Sequence, residues 1–376
     1  GIKQTQKSDK KNEELLFKIP FVLEFYYKNS KERFSVEIKS DKEKFCFRLK
    51  NKPLFFRVDP DYACPCKVVV SDVPRPMLYE QLKRDPDPIG RLEAASALTK
   101  NSSTEDVNIL GERLKKEKEW GVAIRIAKAL GKIGGDEARN FLIKGLKSSN
   151  PKIRKGIISA LGNFCHDEKA ILSIRQCAKN DSSYRVEAIA LHMLGKVKDR
   201  DSFAFLESSI SRKSHNAMAQ TAIYNALAEL EDEKSWDYLI RGAEYGAHRN
   251  SRQAAMRALA KLANRYPNRK GEVIEHLKRF AFEKRGTPAA VFRGKLGAIL
   301  AMKELDDISA VPVLRQIADN ETDGRIQRRA EETITYLQES ANKPKEMRGI
   351  RSDLDDVITE NKSLRERVNM LEKNKR

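Results

Sequence analysis

The stretch DPDPIGRLEAASAL, Asp85–Leu98, decides the fold. Two prolines open it, an arginine sits in its first helical turn, and a small-residue face follows and ends on Leu98. The same wording returns downstream. It reads NPKIRKGIISALGNF from Asn150, DSSYRVEAIALHMLGKV from Asp181, NSRQAAMRALAKL from Asn250, and in a worn copy WGVAIRIAKALGKIG from Trp120. Aligned on the terminal leucine, the copies give Leu98, Leu130, Leu161, Leu194, Leu227 and Leu259, and more loosely Leu300 and Leu337. A period of about 32 residues carrying two helices per unit is the mark of an α-solenoid. The partner helices come from DEARNFLIKGL, EKAILSIRQCA and DSFAFLESSI, which lie between successive leucines. Ala127, Ala129, Gly131, Ala160 and Gly162 at facing positions let helices approach closely. Neither helix of a unit buries its stripe alone, so the stack is what folds. About eight hairpins fit between Met77 and Ser340, and the solenoid is placed at residues 75–340.

Outward from the repeats, the texture changes on both sides. Residues 1–14 are polar and lysine-rich and read as a disordered tail. From Phe17 to Val70, FKIPFVLEFYY, RFSVEIK, EKFCFRL, PLFFRVD and KVVV are short runs rich in Val, Ile, Phe and Tyr, split by turns such as KNSKE and KNKP. They predict a small antiparallel β-sandwich over 15–74. After NKPKE, residues 345–376 form a C-terminal helix. Met347, Ile350, Leu354, Val357, Asn361, Leu364, Val368 and Leu371 step by threes and fours, the a/d seam of a heptad repeat. Charges at the flanking positions and Asn361 at an a position suit a parallel homodimer, and a single helix packed on the solenoid end is the alternative. The fold class is thus mostly α: HEAT-like helical hairpins in a solenoid, preceded by the small sandwich and followed by the heptad helix.

The recurring arginines Arg91, Arg125, Arg154, Arg185 and Arg252 have two readings. A row of guanidinium groups on a concave face holds phosphates or carboxylates. The alternative, adopted here, is an internal ladder in which each arginine pairs with an Asp or Asn cap, as Arg185 with Asp181.

The chain has 376 residues, 40% of them hydrophobic, and a net charge of +19. That charge permits nucleic-acid binding, but lysines are dispersed and no arginine-rich block carries interleaved aromatics. No apolar run is long enough to span a membrane, which suits a cytoplasmic protein. The five cysteines are odd in number, and Cys64 and Cys66 stand too close for the usual zinc spacing, so CPC reads as a turn. None of His166, His192, His215, His248 and His276 stands in an H-E-x-x-H pattern, and no Walker loop, nucleophile elbow or kinase signature appears. The glycines of LGKIGGDEA follow a helix and read as its C-cap.

The order of these parts resembles the C-terminal half of the aminopeptidase N family of zinc metallopeptidases, in its bacterial and archaeal branch with HEAT-like repeats. Lys52, Pro53, Asp59 and Pro60 match that family's K-P-x-x-V-x-F-D-P sandwich ending, with the apolar Val58 at its Phe position. Gln81, Leu82, Asp85, Asp87, Gly90, Arg91, Glu93, Ala94 and Ala95 match the junction that follows it, and Trp120, Gly121 and Val122 match a W-G-V motif. The family's H-E-x-x-H and G-x-M-E-N motifs are missing, so no catalytic or metal residue carries over. The resemblance implies the non-catalytic portion of such an enzyme, covering the active-site cleft, limiting peptide access and inactive alone. It places zinc in a catalytic domain outside the chain, and a start at Gly1 agrees with a piece of something longer. Expected partners are that catalytic domain, a peptide or protein on the concave face, and a second copy through the C-terminal helix. The alternatives are a stand-alone HEAT interaction scaffold and, third, a basic HEAT-like nucleic-acid binder.

Overall fold

The computed structural model describes residues 1–5, 17–199, 201–342 and 357. These form two compact units, Gly1–Ile133 and Gly134–Arg376, each taken by itself below.

The first unit opens with strands β1 (Ile2–Lys3), β2 (Ile19–Tyr26), β3 (Lys31–Ile38), β4 (Lys42–Glu43) and β5 (Phe55–Val58). All pairings are antiparallel: β1 with β4, and β2 between β3 and β5 in a three-stranded sheet. Alternation along β2 sends Phe21, Leu23 and Phe25 to one face, where Phe25 packs on Phe34, Phe47 and Phe56 with ring centres 5.7 to 6.0 Å apart. Glu24 and Tyr26 take the other face. There the buried Glu24 carboxylate accepts from Arg33 at 2.5 Å, with Lys31 at 2.9 Å and the Tyr26 hydroxyl beside it.

Three stretches depart from the expectation. Residues 1–14 are not wholly a disordered tail, because Ile2 and Lys3 pair with β4 and the Gln4 amide donates to the carbonyls of Phe17 and Ser40. EKFCFRL contributes only its start to β4, although Phe47 still joins the aromatic face. KVVV forms no strand; Pro65 and Pro74 flank it, and Val69 is 74% exposed.

Four helices complete this unit: α1 (Arg75–Arg84), α2 (Pro88–Ala97), α3 (Thr104–Lys116) and α4 (Trp120–Ile133). Pro88 starts α2 behind Asp87, whose carboxylate accepts from the Ile89 N–H at 2.8 Å. Ser103 and Asp106 form a capping box on α3. Helix α2 packs on α1 and α4, α3 packs on α4, and β5 meets α1.

The second unit holds α5 (Gly135–Gly145), α6 (Pro151–Leu161), α7 (Glu168–Asn180), α8 (Tyr184–Lys196), α9 (Ser202–Ser209), α10 (Met218–Leu230), α11 (Ser235–Ala243), α12 (Arg249–Arg265), α13 (Lys270–Ala281), α14 (Pro288–Leu305), α15 (Val311–Asn320) and α16 (Gly324–Ala341). The even-numbered helices contact one another in chain order from α6 to α16, and each is backed by an odd-numbered partner. This is the predicted stack of hairpins. The sixteen α-helices among the described residues make the eight pairs expected. The repeat leucines Leu98, Leu130, Leu161, Leu194, Leu227, Leu259 and Leu337 are all 1% exposed or less. Leu300 is not at the equivalent place: it is half-buried, and Ile299 and Met302 fill the core of α14. Close approach is tightest at Gly195 of α8, where a Cβ would lie 2.3 Å from the Ala226 carbonyl oxygen of α10. Only glycine fits that contact.

Of the heptad seam, Val357 is described and is half exposed, while Leu354, Asn361, Leu364, Val368 and Leu371 lie outside the described residues.

Candidate functional site

Helices α2, α6 and α8 place their fourth residue at a fixed spot, and three charged rungs follow from it. In α2 the fourth residue is Arg91. Its guanidinium grips Glu117, three residues ahead of α4, at 3.0 and 3.1 Å, and donates backwards to the carbonyls of Asp85 and Pro86 at 2.8 and 3.2 Å. Arg113 adds two further donors to Glu117. In α6 the fourth residue is Arg154. It grips Asp181, three residues ahead of α8, at 2.8 Å through both oxygens, and reaches back to the carbonyls of Ser148 and Ser149. The pairs are bidentate and nearly buried, the geometry in which a guanidinium and a carboxylate hold best.

The polarity then reverses. The fourth residue of α8 is Glu187, and Arg212 comes back from the next unit to meet it at 2.7 Å. Arg212 also takes the carbonyls of Ala178 and Lys179 in the last turn of α7, so the job of holding orphan C=O groups passes to the opposite partner. Lys295, the eighth residue of α14, pairs with Glu321 ahead of α16, an ion pair off the fourth position. Burial alone pushes carboxylates up. For Glu117 and Asp181 the arginine hydrogen bonds outweigh burial and hold both below the ordinary carboxylate range, whereas burial wins at Glu187 and raises it.

Arg57 of β5 occupies the corresponding place ahead of α2. It lies 3.7 Å from Asp85 and 2.7 Å from Asp87, the two acids of DPDP, and Tyr62 donates to Asp87 at 2.5 Å. Asp85 is fully buried. Burial raises it despite the donors around it, the Asp87 N–H and Arg57 among them.

Of the five arginines picked from sequence, Arg91 and Arg154 are rungs. Asp181 pairs with Arg154, not with Arg185 as the sequence suggested, because the fourth position of one helix faces the approach to the next. Arg125 and Arg185 are the sixth and second residues of α4 and α8 and stand off the rung position; Arg185 is exposed. Arg252, the fourth residue of α12, donates from Nε to the Ala243 carbonyl at 2.7 Å and lies over Phe280, but its Nη2 is buried with no partner. Glu117, Glu187, Arg212 and Arg57 were missed. The signal for the rungs was present: the paired charges stand 25 to 27 residues apart.

Two hollows lie in the second unit. A groove of about 600 Å³ runs across α8, α10 and α12, with Arg185, His192, His215, Asn216, Asn225 and Asn250 among its walls. Asn216 and Ala217 sit in left-handed backbone at its edge, an uncommon state for residues with a Cβ. Burial pulls His192 below its usual value. The second, of about 310 Å³, is a cavity at the first turns of α12 and α14. Among the described residues no group of three or more His, Cys, Asp or Glu is placed to hold a metal ion, and no helix is long and apolar enough to cross a membrane. Cys64 and Cys66 lie in a turn with sulfurs 3.0 Å apart, the loop held by Asp59 accepting from the Ala63 and Cys64 N–H groups.

Hairpins within residues 75–260 match the profile of HEAT repeats, at residues 75–162, 107–186, 139–224 and 171–260. No curated protein matches the sequence. Among solved structures, aminopeptidase A of Legionella pneumophila in complex with aspartic acid resembles the fold with a TM-score of 0.50 at 12% identity, over 84% of this chain and 45% of that one. Human deoxyhypusine hydroxylase in complex with glycerol has a TM-score of 0.33 at 16% identity, over 62% and 96% of the two chains. Kap121p bound to Pho4p has a TM-score of 0.43 at 13% identity, over 70% and 33%. At 12% identity the likeness to the aminopeptidase is one of fold, and the chain spans under half of that protein's length.

Proposed function

We propose that this chain is the non-catalytic sheet-and-HEAT portion of a zinc-dependent aminopeptidase, covering the active-site cleft and limiting which peptides enter. The zinc is then held by residues outside the chain. The observation that carries the reading is the Arg57 cluster. The two stretches that hold the family resemblance, KPLFFRVDP and DPDPIGR, close on one another through Arg57, Asp85 and Asp87, so the motif spacing has a structural reason. The fold likeness to an aminopeptidase over 84% of the chain supports the same reading. The test begins with the gene region ahead of Gly1, which should encode an H-E-x-x-H helix. The complete product should bind one zinc and hydrolyse aminoacyl-coumarin reporters, and residues 1–376 alone should do neither. An upstream region without that motif, or zinc-dependent hydrolysis by residues 1–376, refutes the proposal.

A second reading is a stand-alone HEAT scaffold. It rests on the groove across α8, α10 and α12, whose asparagine and histidine side chains offer both donors and acceptors to a peptide backbone. Peptides selected on the isolated chain should lose affinity in Asn225→Ala and Asn250→Ala; selected peptides indifferent to both changes refute this use of the groove.

A further inference from the structure

We propose that the cavity at the first turns of α12 and α14 binds a phosphoryl group seated on Arg252. Its walls include Tyr245, Arg249, Arg252, Thr287, Arg293 and Gly294, and none of its lining residues is acidic. Three arginines therefore line one hollow of about 310 Å³. Arg252 is one of its lining residues: it is 7% exposed, its Nε is spent on the Ala243 carbonyl, its Nη2 is shut off from solvent with no partner, and its Nη1 lies beside Gly294 of the cavity wall. A largely buried guanidinium with no carboxylate bound to it is costly unless an anion offsets its charge. Burial lowers the pKa of Arg252, as an uncompensated charge requires. The nearby acid is Glu283, and its two oxygens are engaged by Arg285 at 2.8 and 2.5 Å.

The backbone adds to the field. Helices α12 and α14, of 17 and 18 residues, both begin at the cavity, so the positive ends of two macrodipoles meet there. Gly294 keeps the guanidinium accessible, because a Cβ at that position would lie 3.3 Å from Arg252 Nη1. A phosphate dianion answers a lining of three arginines better than a carboxylate, and its several oxygens can accept from Arg252, Arg249 and the Thr287 hydroxyl. Arg249, Gly286 and Thr287 are exposed at the mouth, so either free phosphate or a phosphomonoester can enter.

The test uses the full chain. Calorimetric titration and thermal unfolding are followed with sodium phosphate against sodium chloride at matched ionic strength, and with O-phosphoserine and a phosphoserine peptide. Saturable binding with one site per chain and a matching rise in Tm are expected. Arg252→Gln should bind phosphate at least about tenfold more weakly, while its Tm in chloride stays at or above the wild-type value, since a buried charge has been removed. Arg249→Glu, a change at the exposed mouth that leaves the fold intact, should abolish binding. Tighter binding of the phosphoserine ligands than of phosphate identifies a carried phosphomonoester, and the reverse order identifies the free ion. Heats and Tm no different from chloride overturn the proposal, as does wild-type phosphate affinity in Arg249→Glu or in folded Arg252→Gln.

Discussion

Reversing the Arg154–Asp181 rung tests the ladder most severely. Arg154→Glu sets a second carboxylate against Asp181, whose side chain is 6% exposed, and removes the donors that hold the Ser148 and Ser149 carbonyls. Breaking a buried pair by removing one partner costs about 3–5 kcal/mol, and the like-charge contact adds to it, so a loss of roughly 4 kcal/mol or more is expected. Asp181→Arg alone crowds two guanidinium groups and should cost a similar amount. The double variant Arg154→Glu with Asp181→Arg copies the polarity that Glu187 and Arg212 already use one unit later. There the arginine, arriving from the far side, supplies both the carboxylate and the carbonyls of α7. The double variant should therefore recover at least about half of the loss, a coupling of roughly 2 kcal/mol or more. Urea unfolding at pH 7, followed by circular dichroism at 222 nm, gives the cycle. Hydrogen exchange should place the damage of the single variants at α6–α8, because a repeat couples mainly to its neighbours. If Arg154→Glu costs under about 1 kcal/mol, or the double variant is as unstable as the sum of the singles, the rung contributes little and the ladder argument fails.

Arg57→Ala leaves the fully buried Asp85 without its cation and should cost about 3 kcal/mol, read as faster exchange in β5, α1 and α2 with α6–α16 unchanged; protection unchanged in β5 contradicts it. Gly195→Ala drives a Cβ into the Ala226 carbonyl of α10 and should lower stability by about 1–3 kcal/mol, and a neutral result in thermal unfolding means the helices separate freely. Acid should weaken both units. Glu24, whose burial is outweighed by hydrogen bonds from Tyr26, Arg33 and Lys31, is pulled from 4.5 to about 2, and Glu117 and Asp181 are lowered too. Groups depressed in the folded state contribute their stability above the unfolded value and lose it as pH falls through the folded one. Tm should hold from pH 7 to about 5 and drop between about 4.5 and 2, and a flat profile to pH 2 refutes these pairings.

The solenoid was legible because its signal is repeated. Leu98, Leu130, Leu161, Leu194, Leu227 and Leu259 each fill the same buried place, and six copies of one pattern outweigh any local ambiguity. Leu300 failed where the period stretches: α14 runs 18 residues and turns Ile299, not Leu300, to the core. The strands were legible where a partner existed, as in β2 and β3, and illegible in KVVV, whose valines are strand-formers with no ladder to join. The arginines show the deeper limit. Their recurrence is visible, but what each does depends on the residue 25 to 27 positions on, which is Glu117 for Arg91 and Asp181 for Arg154. Arg252 occupies the same fourth position, and no carboxylate answers its orphaned Nη2. A repeated residue that keeps its place and loses its partner is the feature that periodicity alone hides. In this chain that residue lines a cavity with two more arginines and no acid in its lining.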